Sequence, residues 1–348
     1  MSDVRETGDT GEATVDRPVE YFLQDMEYYG RSDRTRGAYR RVLEDFAAFL
    51  ESRSESLETA TNRDCMAWIH RQRGSGAEST VATYAAYLHR FYTYMNSVEA
   101  FDTNPMTLVM EELDESIETD PTRRDVSVPE MRAFVRGVTH PLDRAVVVTL
   151  LKTGVRVGEL SNLDLRDLRL TTGAAAEYDL SGRAQLTGRG DSLFVSSEPT
   201  RGQVTNGERR EDSNKRKRST VVPVDAELAA VLTEWLAVRP DTVSPAEPLF
   251  VRTRDHWGTR LSAKAARRIV VTHAREAGWH RSGGGSDENV TPHYFRHFFT
   301  THMRDRTGDR GIVKYLRGDV AGDVIDTYTH NWGDRVRETY ERHVYSLC

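Results

Sequence analysis

The segment Thr-Pro-His-Tyr-Phe-Arg-His at residues 291–297 holds a His-x-x-Arg pair, His293 and Arg296. Two residues three positions apart lie on the same face of a helix, so both side chains can reach one ligand. Further along, residues 326–330 read Asp-Thr-Tyr-Thr-His and contain Tyr328. A His-x-x-Arg pair alone is a weak signal, because such pairs are common on surface helices. The pattern gains meaning from an earlier motif in the chain.

Residues 153–160 read Thr-Gly-Val-Arg-Val-Gly-Glu-Leu and supply a second arginine, Arg156. Gly154 lets the backbone turn, and Glu159 lies on the same helical face as Arg156, where its carboxylate can hold the guanidinium in one rotamer. Guanidinium groups are planar and permanently charged, which suits the non-bridging oxygens of a phosphodiester as their charge rises in the transition state. Arg156 and Arg296 are therefore the candidate phosphate-binding residues.

The other motif residues predict phosphodiester cleavage without a metal ion. Tyr328 is the candidate nucleophile, since a phenol with a pKa of about 10 becomes reactive when neighbouring cations stabilise its oxyanion. His293 can donate to the phosphate or accept the proton of the attacking group. The leaving 5′ oxygen needs a proton donor, for which Lys215, five residues before a Thr-Val-Val-Pro-Val sequence, is the candidate and Lys217 its rival. The product ester is similar in energy to the bond it replaces, so religation needs no nucleotide cofactor.

The composition is that of a soluble globular protein. The chain has 348 residues, enough for two domains with separate cores. No apolar run of about eighteen residues and no signal peptide is present, which predicts a cytoplasmic location. The cysteines, Cys65 and Cys348, cannot build a disulfide framework. His293, His297 and His302 share one predicted helix, but no glutamate follows His293 as in a zinc-protease helix, so we predict no metal site.

The net charge of −6 conceals a clustered distribution. Residues 201–220 carry a net charge of +4 and residues 251–275 one of +6. Clustered basic residues can neutralise phosphates on an otherwise acidic surface, although a basic helix face is usually only solvated. The residues predicted to contact DNA are Arg36, Arg40 and Arg41 on the first long helix, Arg216 and Arg218 beside the candidate lysines, and Lys264, Arg267 and Arg268 on one helix face.

Hydrophobic patterning divides the chain into regions. Residues 1–17 are acidic and lack periodicity, which predicts a disordered tail. Residues 18–110 predict a helical bundle, residues 111–124 an acidic linker, and residues 125–348 a second domain. The apolar stripe of the first long helix consists of Tyr39, Val42, Leu43, Phe46, Phe49 and Leu50.

The second domain is predicted to be mainly helical. Ser127 opens it with a capping box, and an almost continuous apolar helix follows at residues 142–151. Residues 192–196 and 219–224 predict strands, with a long polar loop at 198–214 that we expect to be mobile. Further helices are predicted after the capping residues Asp225 and Ser262, at residues 294–306, 311–316 and 334–345, and around Tyr328.

This combination resembles the tyrosine recombinase (phage integrase) superfamily over most of the chain. Thr-Gly-Val-Arg-Val-Gly-Glu-Leu looks like that family's first box, which implies that Arg156 is a catalytic arginine supported by Glu159. His-Tyr-Phe-Arg-His looks like its second box and implies catalytic roles for His293 and Arg296. Asp-Thr-Tyr-Thr-His is similar to the family's nucleophile segment, which implies Tyr328 as the nucleophile.

Two further positions bear on the resemblance. The basic cluster resembles the hairpin that carries the family's lysine, and counting back from Pro223 favours Lys215. The family usually has a histidine or tryptophan after the glycine of a Leu-Gly-His turn, whereas Asp319 follows Gly318 here. An ionised carboxylate cannot donate a hydrogen bond to phosphate. Either another residue, with His330 as the candidate, supplies that donor, or cleavage is slower.

The resemblance implies a mainly α fold with a small antiparallel β-sheet. An N-terminal helical-bundle core-binding (SAM-like) domain would precede a C-terminal α+β catalytic domain. The implied function is site-specific recombination, in which double-stranded DNA is cut and rejoined through a 3′-phosphotyrosyl intermediate, for integration, excision or dimer resolution. The implied partners are DNA at a specific site and further copies of the chain, as a tetramer on the synapse. Two alternatives stay open: a recombinase-like DNA-binding protein with weak or no activity, and a topoisomerase with the same chemistry.

Overall fold

The structure, a computed structural model, describes residues 17–74, 76–115, 122–171, 182–319 and 333–348, with residues 333 and 334 described by their backbone alone. The chain divides into two compact units, Met1–Asp120 and Pro121–Cys348. Each unit has its own hydrophobic core. The predicted fold class, mainly helical with small antiparallel sheets, is confirmed.

The first unit is a bundle of α-helices. Its helices are α1 (Pro18–Tyr28), α2 (Asp33–Glu51), α3 (Asn62–Arg73), α4 (Glu78–Ser97) and α5 (Met106–Glu111). The predicted first long helix is confirmed as α2, which begins where the Ser32 hydroxyl accepts a hydrogen bond from the Thr35 backbone N–H. Phe46 from its apolar stripe packs edge-on against Trp68 of α3, and both side chains are fully buried. Aromatic burial of this kind stabilises the bundle.

The second unit combines helices with two small antiparallel sheets. Its helices are α6 (Val128–Gly137), α7 (Pro141–Thr153), α8 (Val157–Ser161), α9 (Ala226–Val238), α10 (Ala263–Glu276), α11 (Pro292–Thr307), α12 (Arg310–Arg317) and α13 (Gly333–His343). Ser127, Asp225 and Ser262 accept hydrogen bonds from the backbone N–H groups of Glu130, Leu228 and Ala265, so all three predicted helix caps are confirmed.

Helix α7 is the central helix of the second unit. Every residue from Ala145 to Thr153 is buried, and α7 packs against α9, α10 and α11. A helix that is apolar on nearly all sides is stable only inside a core. Its C-terminal end therefore provides a fixed support for the residues that follow it.

The larger sheet has the strand order β1 (Leu168–Arg169), β2 (Ser192–Val195) and β5 (Thr220–Pro223), with antiparallel pairs throughout. Both predicted strands are therefore confirmed as β2 and β5. Leu193 pairs with Val222, and both are fully buried, which fixes the register. The segment that connects them leads into the basic cluster at residues 215–218.

The segment at residues 198–214 was predicted to be a long polar loop without strands, and that prediction is incomplete. The segment contains an antiparallel pair, β3 (Val204–Thr205) and β4 (Glu208–Arg209). Arg210 follows β4, is buried, and donates to both carboxylate oxygens of the equally buried Asp164 at 3.1 and 2.7 Å. This ion pair anchors the segment to the rest of the second unit, because Asp164 lies 46 residues before Arg210 in the sequence.

The C-terminal residues pack on the core of their own chain. Tyr345 and Leu347 are buried, and the Tyr345 hydroxyl donates to the Leu151 carbonyl at 2.6 Å. Lys152, which is also fully buried, forms ion pairs with Asp225 and Glu227 at 2.6 Å. The end of the chain thus covers one side of α7.

Candidate active site

The turn between α7 and α8 positions Arg156. Gly154 ends α7 with a φ of +62°, and a Cβ placed there would lie 2.3 Å from Cδ1 of Phe299. Only glycine combines this left-handed conformation with so close an approach. The chain therefore turns sharply, and Arg156 follows in an extended conformation as the residue that caps α8.

Glu159 holds Arg156 in place. Its carboxylate accepts hydrogen bonds from the Arg156 backbone N–H at 2.9 Å and from Nη1 at 3.0 Å. Glu159 is fully buried, so its charge is stable only when paired in this way. The predicted contact between Glu159 and Arg156 is confirmed, and their catalytic roles stay a prediction.

Arg296 projects from the first turns of α11 and is 3% exposed. Its Nη1 donates to the Gly154 carbonyl at 2.6 Å, and its Nη2 donates to the Arg317 carbonyl at 3.1 Å. Two backbone oxygens therefore set the orientation of this guanidinium group. The turn that positions Arg156 also positions Arg296.

The two arginines meet at one carboxylate oxygen. Oδ1 of Asp319 accepts hydrogen bonds from Nη2 of Arg156 at 3.1 Å and from Nη2 of Arg296 at 2.9 Å. Arg317 lies on the other side, with Nε 3.0 Å from Oδ2 of the same carboxylate. Both arginines therefore contact the same anionic group, the Asp319 carboxylate, and their binding of phosphate stays a prediction.

Burial and mutual repulsion act on these cations. Burial first, and then the positive charges of Arg156 and Arg317, lower the pKa of Arg296 to about 9. Burial also lowers the pKa of Arg317. Both guanidinium groups still carry their charge at neutral pH, so the cluster favours an anion at its centre.

Arg216 is a correction to the sequence prediction. It was predicted to contact DNA, but it is 4% exposed and donates to the Leu316 carbonyl at 3.1 Å and to Glu159 at 3.4 Å. A Cβ on Gly318 would lie 2.4 Å from Cγ of Arg216, so the two residues are in tight contact. Arg216 supports the site from inside and is not available to a DNA surface.

The candidate lysines flank this support. Lys215 and Lys217 are both exposed, on either side of the buried Arg216. The Lys217 backbone N–H donates to the Gly318 carbonyl at 3.1 Å, next to Asp319. The basic cluster is therefore adjacent to the arginine site, and the choice between Lys215 and Lys217 as general acid stays open.

His293 lies in the first turn of α11, one turn before Arg296, and its ring contacts the His297 ring with centroids 4.8 Å apart. Partial burial of the ring, followed by the positive charges of Arg123 and Arg296, lowers the pKa of His293 from its ordinary value of 6.5. The neutral imidazole is therefore the main form at pH 7, which favours its role as a proton acceptor.

The other predicted DNA-contacting residues lie at the surface of their own units. Arg41 is exposed, whereas Arg36 pairs with Glu27 and Asp33, and Arg40 pairs with Glu20. Lys264, Arg267 and Arg268 are exposed on α10, and the Arg218 guanidinium stacks over the Tyr315 ring at 5.1 Å. These DNA contacts stay predictions. Tyr328 and His330 lie outside the described residues.

Arg317 is a site residue that the sequence motifs did not predict. The available signal was Arg-Gly-Asp at residues 317–319, because a glycine in the left-handed conformation reverses the chain and brings its two neighbours together.

Two further findings concern the part of the chain that the structure describes. No helix there has both the length and the apolar character to cross a bilayer. No group of three or more His, Cys, Asp or Glu side chains there is arranged to hold a metal ion.

Two protein-family models match the chain, one in each unit. The family model described as "Phage integrase family" matches residues 195–333, and that described as "Phage integrase, N-terminal SAM-like domain" matches residues 19–97. The chain belongs to the phage integrase family of tyrosine recombinases, as the sequence motifs predicted.

Known proteins resemble the chain over most of its length. A tyrosine recombinase XerC from Pelobacter propionicus is 25% identical over 315 residues, which cover 89% of each protein. The Tn1549 transposon integrase in complex with transposon right end DNA has the same fold, with a TM-score of 0.63, 17% identity, and coverage of 93% of this chain and 98% of that one. A lambda integrase dimer bound to a COC′ core site has a TM-score of 0.60 at 14% identity, with coverage of 96% and 80%.

Proposed function

We propose that this protein is a site-specific recombinase that cuts and rejoins DNA through a 3′-phosphotyrosyl intermediate. The observation that carries the proposal is the convergence of Arg156 and Arg296 on one anionic oxygen, at 3.1 and 2.9 Å. A phosphodiester presents oxygens of the same charge and hydrogen-bonding character to such a pair. Family membership supports the same reaction.

Each motif residue has a role in the proposed step. The Tyr328 phenol oxygen attacks phosphorus while its proton passes to His293, and the bond from phosphorus to the 5′ oxygen breaks. Lys215 or Lys217 protonates the leaving oxygen, which becomes the free 5′ hydroxyl. Arg156 and Arg296 stabilise the charge on the non-bridging oxygens, a contribution commonly worth about 3 to 4 kcal/mol per donor. The reverse step rejoins DNA without a cofactor.

The proposal includes the partners and location. We infer binding to double-stranded DNA, since integrases of the same fold are described as bound to transposon end and core-site DNA. Recognition of one specific sequence, assembly as a tetramer on the synapse, and a cytoplasmic location are part of this proposal. The exposed basic face of α10, with Lys264, Arg267 and Arg268, is the proposed phosphate-contacting surface of the second unit.

A nicked suicide duplex tests the reaction. Duplexes that bind the protein are selected from a random library, and nicked versions trap the covalent adduct because the short cleaved strand diffuses away. Wild-type protein is expected to form an adduct that Tyr328→Phe lacks. Tyr28→Phe, at an exposed tyrosine of the first unit, is the matched control and should keep the adduct. An adduct of normal yield in Tyr328→Phe would contradict the assignment of the nucleophile.

A second candidate function is a DNA-binding protein without cleavage activity. Asp319 favours it, because the carboxylate occupies the position between the two arginines where phosphate would bind. Specific DNA binding by the wild-type protein without any covalent adduct would support this candidate over a recombinase.

A further inference from the structure

The Asp319 carboxylate lies within a ring of guanidinium groups. Its Oδ1 is shared by Arg156 and Arg296, and its Oδ2 is 3.0 Å from Nε of Arg317. Nε of Arg317 is buried, and its N–H is not aligned for a hydrogen bond to this oxygen, so the contact is an ion pair. A carboxylate thus engages these arginines through both oxygens.

We propose that Arg317 is a third arginine that binds the reacting phosphate, and that Asp319 is an internal anion which this phosphate displaces. The inference rests on the proposed function, because it concerns the same site. Phosphate and carboxylate both present pairs of anionic oxygens to guanidinium groups. The three arginines that hold Asp319 therefore form the phosphate site, with Arg317 in place of the histidine or tryptophan donor expected at position 319.

The anchoring of the groups indicates which of them moves. Glu159 is fully buried and accepts a hydrogen bond from the backbone N–H of Arg156. The guanidinium of Arg296 donates hydrogen bonds to two backbone carbonyls. The Asp319 side chain is 27% exposed, and its carboxylate is held by the three guanidinium groups. Its departure leaves Arg156 and Arg296 held by these other partners, so this part of the site is preorganised for a second anion.

Charge balance indicates that the site needs an anion. Among the described residues, the guanidinium groups of Arg156, Arg216, Arg296 and Arg317 face the carboxylates of Glu159 and Asp319. Removal of Asp319 from its position leaves Glu159 alone to offset these cations. The incoming DNA phosphate restores the balance, whereas phosphate and the Asp319 carboxylate together would place two anions in one position.

The first test measures binding of inorganic phosphate to the full chain without DNA, by isothermal titration calorimetry. In Asp319→Asn the competing charge is gone, and we expect the affinity for phosphate to rise about tenfold or more. Asp305→Asn is the control, since it makes the same charge change at an exposed residue that pairs with Arg304. Asp319→Ser serves as a second variant if Asp319→Asn does not fold. Unchanged or weaker phosphate binding in the folded variant would overturn the role of Asp319.

The second test separates a phosphate-binding Arg317 from one that only holds Asp319. In the Asp319→Asn background, Arg317→Gln should lower the affinity for inorganic phosphate about tenfold, because a hydrogen bond to a charged group is lost. Arg304→Gln, at an exposed arginine of α11, is the matched control in the same background. If Arg317→Gln has no effect once the Asp319 charge is gone, Arg317 only holds the carboxylate and the proposal fails.

These readouts are independent of DNA cleavage. If wild-type protein forms no adduct but phosphate binding changes as expected, the proposed reaction is wrong and the three-arginine site stands. If an adduct forms but phosphate binding does not respond to Asp319→Asn, the reaction stands and the inference fails. If the proposed reaction and the three-arginine site are both correct, adduct formation should also be faster in Asp319→Asn than in Asp305→Asn.

Discussion

At the scale of single residues, the site depends on the fully buried carboxylate of Glu159. It accepts hydrogen bonds from both the backbone and the side chain of Arg156, and Arg216 approaches it at 3.4 Å from behind. A buried carboxylate without such partners would be strongly destabilising. Its burial therefore forces the guanidinium of Arg156 into one orientation, in which Nη2 donates to the Asp319 carboxylate.

Individual site residues differed in how well the sequence predicted them. The sequence could predict three of them, Arg156, Glu159 and Arg296, because each belongs to a motif whose spacing along a helix places side chains on one face. Arg216 was assigned to the surface because composition counts charge without showing burial. The contacts of Asp319 with Arg156 and Arg296 depend on how α12 packs beside α11, and no local pattern encodes that distance.

The lowered pKa of His293 predicts a particular pH dependence. A neutral imidazole can accept the Tyr328 proton, and protonation below the lowered pKa removes that capacity. The cleavage rate should therefore be flat near pH 7 and fall only below pH 6.5, the ordinary value for histidine. Single-turnover adduct formation, measured between about pH 5 and 8, should show this acidic limb in wild type and not in His293→Gln.

Substitution of Arg123 provides a control, because it should change the pKa of His293 in a known direction. Its charge is among the causes that lower the pKa of His293, so Arg123→Gln should raise that pKa and move the acidic limb to higher pH. An acidic limb that is unchanged in His293→Gln would show that another group titrates. A limb that moves to lower pH in Arg123→Gln would contradict the electrostatic explanation.

At the scale of elements, caps and apolar stripes predicted helices well, and very short strands were missed. α2, α6, α9 and α10 begin at residues whose side chains accept hydrogen bonds from the first turn, a local signal. The two-residue strands β3 and β4 are too short for any alternation. Their position depends on Arg210 reaching Asp164, a long-range contact that composition cannot predict.

The turn after α7 predicts a strong effect of Gly154→Ala. The φ of +62° is unfavourable for alanine, and the new Cβ would overlap the Phe299 ring. We expect the free energy of unfolding to fall by about 2 to 4 kcal/mol. Cleavage should slow beyond the loss of folded protein, because the Gly154 carbonyl orients Arg296. Urea denaturation and adduct formation measure the two effects.

Gly308 provides the matched control for this turn. It caps the C-terminal end of α11 with a φ of +64°, but a Cβ there would meet no atom within 4 Å. Gly308→Ala therefore introduces backbone strain without a steric overlap, and we expect it to lower the free energy of unfolding by about 1 kcal/mol. Equal destabilisation by the two substitutions would contradict the claim that contact with Phe299 requires glycine at position 154.

At the scale of the whole molecule, clustered charge reconciles a net charge of −6 with a phosphate-binding site. Arginines converge on the active site from the α7–α8 turn, from α11 and from the end of α12. All of these elements belong to the second unit, whose core is closed on one side by the end of the chain. The integrity of the site therefore depends on residues remote from it, including the last four.

Removal of residues 345–348 should destabilise the second unit. Tyr345 is 1% exposed and Leu347 is fully buried, and full burial of such side chains contributes about 1.5 to 3 kcal/mol each. The Leu347 backbone N–H also donates to Glu227, which pairs with the buried Lys152. We expect the free energy of unfolding to fall by about 3 to 6 kcal/mol, measured from the shift of the urea midpoint. A chain that lacks only the exposed Cys348 is the control and should unfold like wild type. Equal midpoints for the two truncated chains would mean that the C-terminal residues do not stabilise the core of the unit, contrary to the burial of Tyr345 and Leu347.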